Sequence, residues 1–370
     1  MYWIIILPLM ALLCYLGDGK HVNTKVTIGI RMLLILITSV YSVSFCGLAT
    51  DHDSYVIRYN SSQGLGLDNF YANLVLMSVS GKGFEPGFGL LNLLGNYLGL
   101  GELGYFFILS VFINSVVIWF IYKYPMPVLS YMFLASMQFF LIENNLLRQT
   151  LAMCIILLFL NNLREKKWIV YGIGVLLASS FHTSALMFLV FLPICFINDK
   201  SYNLILKISI AVWLLSFMVS LGLINVNLFS FLAETDYYSS YAGQGNDVGT
   251  STSLQRALMF DIVSIWAFLV TFRFDIVFSL IVVFSSVVMN FSFSNPNVAR
   301  LYFYFAVVDY VYISYILSSN TYPPNSSKSF VNVGRVFFVV YCVFRLVSTY
   351  IYGDDVLDMP VTYSWSQFFK

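Results

Sequence analysis

The stretch Ile142-Glu143-Asn144-Asn145-Leu146-Leu147-Arg148-Gln149 separates two apolar runs, residues 128–141 and 150–160. It is unusual in a chain that is 59% hydrophobic and only 10% charged. An ionisable side chain at membrane depth is energetically unfavourable, and such residues usually have a partner or a function. We therefore expect the other unusual polar residues of the chain to lie on the same membrane face as Arg148.

The composition excludes a soluble domain. The 370 residues have a mean hydropathy of +0.81, which is typical of an all-α, polytopic bundle of membrane helices. The net charge of +1 gives no indication of a nucleic-acid partner, and none is expected. The five cysteines all lie in apolar runs without metal-like spacing, which indicates packing rather than ligation.

Apolar runs predict about twelve membrane helices in a single transmembrane domain over residues 1–370. They lie near residues 1–16, 30–49, 103–122, 128–142, 147–163, 168–181, 184–197, 204–224, 256–272, 276–291, 300–319 and 336–352.

The segment 168–197 allows two interpretations. One long helix would place Lys200 and Lys207 on the opposite side from Lys166 and Lys167, whereas two short helices turning at His182 keep these residues together. The positive-inside rule favours two helices. Applied to the whole chain, the rule assigns these basic residues to the cytoplasm: Lys20, Lys25, Arg31, Lys123, Arg164, Lys166, Lys167, Lys200, Lys207, Arg273, Lys328 and Arg335.

Two long segments then face outward. The loop 50–102 is expected to contain an interfacial helix at Asn69–Ser80 and a re-entrant helix at Phe88–Leu100. The second outer loop is 225–255. Loops this long in a compact bundle are usually functional.

Four helices that run inward from the outer face begin with a basic side chain, namely Arg148, His182, Arg256 and Arg300. A cation is disfavoured at a helix N-terminus, which already carries partial positive charge. An anion among these helix starts would explain the pattern, and a diphosphate fits because backbone N–H groups and arginines both bind phosphate. The alternatives are lipid headgroups, or pairing with the acidic residues Asp51, Glu85 and Glu143.

Two acidic motifs lie in the first outer loop. Asp51 and Asp53 flank His52 and could bind a metal, accept sugar hydroxyls, orient an arginine, or simply form a solvated helix end. Glu85 precedes Pro86-Gly87, a pair that favours a turn and would place Glu85 at the mouth of the re-entrant segment.

His182 is the best candidate for a general base, although a lone histidine at a helix entry is more often structural. In the loop 225–255, Tyr237, Tyr238 and Tyr241 suit either stacking on sugars or anchoring at the membrane interface. The buried acids Asp261 and Asp309 suit a proton path or an arginine partner.

Taken together, four short motifs resemble the EpsG-like branch of Wzy-type polysaccharide polymerases. They are Asp51/Asp53 with Tyr55, Glu85-Pro86-Gly87-Phe88, Arg148-Gln149, and Phe181-His182-Thr183-Ser184-Ala185. The resemblance covers residues 40–190 and, more loosely, 295–300. The glycine that this family usually has before the first acidic residue is Thr50 here, so the local turn can differ.

The resemblance implies a metal-independent, cofactor-free glycosyltransferase with a GT-C-like fold in the bacterial inner membrane, active at its outer, periplasmic face. It would transfer a glycan from undecaprenyl diphosphate to a lipid-linked repeat unit, with a chain-length regulator as a further partner. The implied diphosphate-binding residues are Arg148, Arg300, Arg256 and Gln149. The implied catalytic candidates are His182, Asp51, Asp53 and Glu85, and the sugar-binding candidates are Tyr55, Glu143, Tyr237, Tyr238 and Tyr241.

Two other functions remain open. An O-antigen ligase uses the same donor but characteristically has a larger outer loop than 225–255. A flippase for lipid-linked oligosaccharide would place charged residues at the bilayer midplane, where this chain has only Asp261 and Asp309.

Overall fold

A computed structural model of the chain describes residues 3–19, 23–44, 51–64, 68, 71–72, 85–136, 139–198, 201–224, 254–272, 275–292, 296–318 and 328–351. Within these residues the structure consists of fourteen α-helices and one 3-10 helix, with no strand. The described part of the chain is therefore all-α, as expected.

The α-helices pack around one large apolar core, and a second, smaller apolar cluster surrounds Phe268, Phe272 and Val283. Their bounds are Trp3–Leu16 (α1), Thr24–Ser44 (α2), His52–Ser61 (α3), Pro86–Tyr97 (α4), Glu102–Tyr122 (α5), Pro127–Ser136 (α6), Phe139–Ile142 (α7), Leu147–Arg164 (α8), Trp168–Ser179 (α9), Tyr202–Ser220 (α10), Leu254–Thr271 (α11), Ile276–Phe291 (α12), Pro296–Ser318 (α13) and Lys328–Ile351 (α14). The 3-10 helix Thr183–Phe196 lies between α9 and α10.

Most apolar runs correspond to helices close to their predicted positions. Three differences stand out: the run 128–142 is divided between α6 and α7, and α2 and α14 begin several residues before their apolar runs. Backbone hydrogen bonding continues through polar residues, so hydropathy underestimates the length of such helices. The expected interfacial helix Asn69–Ser80 lies mostly outside the described residues.

Four helical segments are long and apolar enough to cross a membrane, namely Thr24–Ser44, Glu102–Tyr122, Tyr202–Ser220 and Arg300–Ser318. Outward-facing apolar side chains support this interpretation. Ile169 and Ile173 on α9, and Leu204, Ile208 and Leu215 on α10, are exposed. A surface of this kind would be unfavourable in water and suits contact with lipid. The chain is thus a multi-pass membrane protein.

The segment 168–197 forms two elements that pack against each other and turn at His182, as the two-helix interpretation predicts. Nζ of Lys166 donates to the carbonyl of Ile197 at 3.2 Å, so the chain returns to its starting side. The 3-10 geometry makes the second element, Thr183–Phe196, longer than an α-helix of the same number of residues. At about 2.0 Å rise per residue its 14 residues span about 28 Å, close to the roughly 30 Å of a hydrocarbon core.

Basic residues of separate helices gather at one end of the bundle. The Arg31 guanidinium lies 4.0 Å from the centre of the Tyr122 ring, and Arg164 contacts both Tyr124 and Asp275. The 18 residues of α8 extend about 27 Å. Because α8 has Arg164 in its last turn and Arg148 in its first, Arg148 lies at the opposite end.

At the Arg148 end, α3, α4 and α5 form a tightly packed unit. Tyr59 of α3 stacks on Tyr105 of α5 at 4.2 Å between ring centres. Gly95 of α4 leaves room for both rings, because a Cβ at this position would lie 2.5 Å from Tyr105. This packing fixes α4, and with it the residue that precedes α4, Glu85.

Candidate functional site

Glu85 is the centre of a polar cluster at this end of the bundle. Its Oε2 accepts a hydrogen bond from Nη1 of Arg148 at 2.5 Å, and its Oε1 lies 3.0 Å from Nδ1 of His182. The Glu85 side chain is only 2% exposed, compared with 19% for Arg148 and 28% for His182. Residues 85, 148 and 182, which are distant in sequence, therefore meet at one buried carboxylate.

The environment keeps Glu85 ionised. Burial raises the pKa of this carboxyl, but the hydrogen bond from His182 and the charges of Arg148 and His182 outweigh burial and lower the pKa to about 2. A carboxylate of such low pKa is a weak base at neutral pH. It can only accept hydrogen bonds, so in this contact Nδ1 of His182 is the donor and Nε2 points away from Glu85.

The motif Glu85-Pro86-Gly87-Phe88 packs the start of α4 closely against the residues before His182. Pro86 occupies the first position of α4, where its fixed φ suits a helix start and its missing N–H is no loss. The N–H of Gly87 donates to the carbonyl of Ser180 at 2.7 Å. A Cβ on Gly87 would lie 2.6 Å from Oγ of Ser180 and 2.9 Å from the Phe181 ring. The expectation of a turn is therefore replaced by a helix start, with Gly87 docking α4 directly beside His182.

Helix α3 supports the other side of Arg148. The Arg148 guanidinium lies 5.8 Å from the centre of the Tyr55 ring, a cation–π contact. Tyr55 is buried, and its hydroxyl donates to the carbonyl of Asn145 at 3.3 Å. The Asn145 side chain in turn accepts from the N–H of Asp51 at 3.0 Å. The turn before α8 thus holds the start of α3 in place.

A second ion pair joins Arg300 of α13 to Asp51. Nη1 of Arg300 lies 3.5 Å from Oδ2 of Asp51, and the two side chains are 39% and 35% exposed. The Gln149 side chain donates to the carbonyl of Arg300, which connects the starts of α8 and α13. The cluster therefore contains two arginines, each paired with one acid.

Other predicted site residues lie elsewhere. Asp53 is exposed, and His52 packs on Phe106 with ring centres 4.7 Å apart. Within the described residues, no group of three or more His, Cys, Asp or Glu side chains is arranged to hold a metal ion. Three predicted sugar-binding residues lie outside the described residues, namely Tyr237, Tyr238 and Tyr241. The side chain of Arg256, predicted to bind diphosphate, also lies outside them.

Glu143 faces the interior of the bundle. Its Oε1 accepts from Ser110 at 2.5 Å and from Asn114 at 3.0 Å, both on α5. Asn144 donates to Ser42 of α2 at 2.6 Å. The polar run 143–145 thus contacts α2, α5 and the start of α3. The sequence does not predict these contacts with α2, α3 and α5. The polar run itself was the only indication that its side chains have polar partners.

The two acids deep in the bundle have different surroundings. Oδ1 of Asp261 accepts hydrogen bonds from Trp213 at 3.1 Å, from Asn290 at 3.0 Å and from Ser286. Asp309 is fully buried in α13. Among the contacts of the described residues, neither acid forms an ion pair with an arginine.

Comparison with known proteins identifies the family. Neither the curated proteins nor the solved structures include a match to this chain. The EpsG family model matches residues 27–360, which is most of the chain and includes every residue of the cluster. Membership of this family indicates a membrane protein of polysaccharide biosynthesis. The chain belongs to the EpsG family.

Proposed function

We propose that this protein is a polysaccharide polymerase. It transfers a growing glycan from undecaprenyl diphosphate to the non-reducing end of another lipid-linked repeat unit, as for O-antigen or a similar surface polysaccharide. The observation that carries the proposal is the convergence of Arg148, Glu85 and His182 at one end of the bundle, with Arg300 nearby. Together they provide cationic groups for a diphosphate and a candidate base for a sugar hydroxyl.

In the proposed reaction, His182 accepts the proton of the acceptor hydroxyl at Nε2 while the hydroxyl oxygen attacks the anomeric carbon of the donor. The bond between that carbon and the diphosphate oxygen breaks, and the electron pair leaves with the diphosphate. Arg148 and Arg300 stabilise the negative charge of the leaving group. Glu85 orients His182 through Nδ1, which is the role a buried carboxylate has in other histidine-based sites.

The remaining assignments belong to the same proposal. Gln149, through its hydrogen bond to Arg300, and Arg256 complete the diphosphate site. The tyrosines of the outer loop contact sugars, whereas Tyr55 and Glu143 are buried inside the bundle and cannot do so. The reaction requires no metal because diphosphate is a good leaving group. The GT-C-like bundle of about twelve membrane helices lies in the bacterial inner membrane with its active face toward the periplasm, and a chain-length regulator acts with it.

Purified protein incubated with undecaprenyl-diphosphate-linked repeat units should produce a ladder of products. Arg148→Ala and His182→Ala should each slow elongation by about 10²–10⁴-fold, the usual contribution of a general base or of a charge-stabilising group. Lys167→Ala is the control, because Lys167 is exposed and lies near Arg164 at the opposite end of α8. Elongation at the normal rate by Arg148→Ala would refute the diphosphate assignment.

The same assay separates the alternatives. A ligase would transfer the glycan to lipid A core and give no ladder. A flippase would move the lipid-linked units across vesicle membranes without forming a glycosidic bond.

A further inference from the structure

The cluster presents an electrostatic problem for any anionic ligand. Glu85 neutralises the charge of Arg148, and Asp51 neutralises the charge of Arg300. A diphosphate group that enters between the arginines would meet two carboxylates at close range. Like charges so near one another are unfavourable in a partly buried site, so one carboxylate must give up its arginine.

The two ion pairs differ in strength. Glu85 is 2% exposed, contacts Arg148 at 2.5 Å and also contacts His182. Breaking this pair would leave a buried charge without a partner, which is strongly destabilising. Asp51 and Arg300 are separated by 3.5 Å and are each more than one-third exposed. Exposed pairs of this kind contribute little, so this pair is the one that can open.

The position of Asp51 also allows its ion pair with Arg300 to open. Asp51 precedes α3, but its side chain makes no capping hydrogen bond to that helix. The backbone is held separately, through the hydrogen bond from the Asp51 N–H to Asn145. The carboxylate can therefore move away from Arg300 while α3 stays in place.

Resting on the proposed function, we infer that Asp51 is a displaceable counter-ion: it pairs with Arg300 before the substrate binds and gives way to the diphosphate of the lipid-linked substrate. Glu85 keeps its contacts with Arg148 and His182 throughout. Asp51 thus competes with the substrate for Arg300 and sets how tightly the diphosphate binds.

The test is the affinity of the purified full-length protein for undecaprenyl diphosphate in detergent micelles. Asp51→Asn removes the competing charge with little change of shape, and should lower the Kd by about two- to fivefold, the range expected for loss of an exposed ion pair. Asp53→Asn is the matched control. Asp53 lies two residues away, is exposed and carries the same charge, so its replacement should leave the Kd within about 1.5-fold of the wild type.

A double-mutant cycle completes the test. With Arg300→Gln as background, Asp51→Asn should no longer tighten binding, because the arginine for which Asp51 competes is gone. An unchanged or raised Kd in Asp51→Asn, or an equal gain in Asp53→Asn, would overturn the inference. Inorganic pyrophosphate serves as a second probe, and the same gain with it would assign the effect to the diphosphate rather than to the lipid chain.

If Arg148→Ala and Arg300→Gln both bind undecaprenyl diphosphate like the wild type, the diphosphate site itself is wrong. If these two variants lose affinity and Asp51→Asn gains none, only the role of Asp51 is wrong.

Discussion

Glu85 determines how the site responds to acid. Its pKa is lowered to about 2, against an ordinary glutamate pKa of about 4.3. A lowered pKa contributes stability that is fully present above the ordinary value and is lost as the pH falls toward the lowered one. The contribution of Glu85 should therefore decrease as the pH falls from about 4.5 to 2.

The prediction is tested by thermal unfolding of the wild type and of Glu85→Gln in detergent across this pH range. Glu85→Gln should unfold at a lower temperature at neutral pH, and the difference from the wild type should shrink as the pH falls below about 4. Glu102→Gln is the control, because Glu102 is exposed. A difference that stays the same at pH 3 and pH 7 would contradict the assignment.

At the scale of residues, the sequence predicted which side chains are unusual but not how they pair. Glu143, Asp51 and Glu85 were equal candidates as arginine partners. Glu85 pairs with Arg148, and Asp51 with Arg300, while Glu143 faces α5 instead. These choices depend on how α3, α4 and α8 pack, and a pattern of apolar residues does not encode the direction of a polar side chain.

At the scale of elements, α4 can pack on the turn before His182 because Gly87 has no side chain. Gly87→Ala would place a Cβ 2.6 Å from Oγ of Ser180 and 2.8 Å from its carbonyl oxygen. We expect α4 to shift and Glu85 to move away from His182. The result should be a large loss of elongation activity, with a loss of stability of about 1–3 kcal/mol, as for other overpacked sites.

Gly172→Ala is the matched control, since Gly172 lies in α9, the helix that leads to Ser180, and its added Cβ would meet nothing within 4 Å. This variant should keep activity, because alanine is the better helix former. Activity is measured by the ladder assay and stability by thermal unfolding. Full activity in Gly87→Ala would show that the contact with Ser180 does not position Glu85.

The sequence predicted the long apolar helices well and missed α3. Helix α3 contains Asp53, Arg58 and Asn60 and has few apolar residues, so a search for apolar runs passes over it. It is nevertheless held to the bundle by the buried rings of Tyr55 and Tyr59. Tertiary packing at two positions, rather than overall hydropathy, makes this segment part of the site.

At the scale of the whole molecule, the two ends of the bundle should lie on opposite sides of the membrane. Gln63 follows α3, which packs beside the start of α5 at the Arg148 end of the bundle, and Lys167 follows α8 at the opposite end; both are exposed. In a cysteine-free background, Gln63→Cys should react with an impermeant maleimide added to spheroplasts, which lack the outer barrier. Lys167→Cys should react only after the membrane is opened. Labelling of both positions from outside would contradict the topology.

Ion pairs hold α8 at both ends, and this limits how the helix can adjust to the thickness of the bilayer. Arg148 joins its first turn to Glu85, and Arg164 joins its last turn to Asp275. Nearby, the 3-10 helix Thr183–Phe196 already has a more extended form than an α-helix. Tilting is the usual response of a membrane helix to hydrophobic mismatch, and here a tilt of α8 would pull Arg148 from its partner. Elongation should therefore be fastest in lipids of one acyl-chain length and fall in both thinner and thicker bilayers.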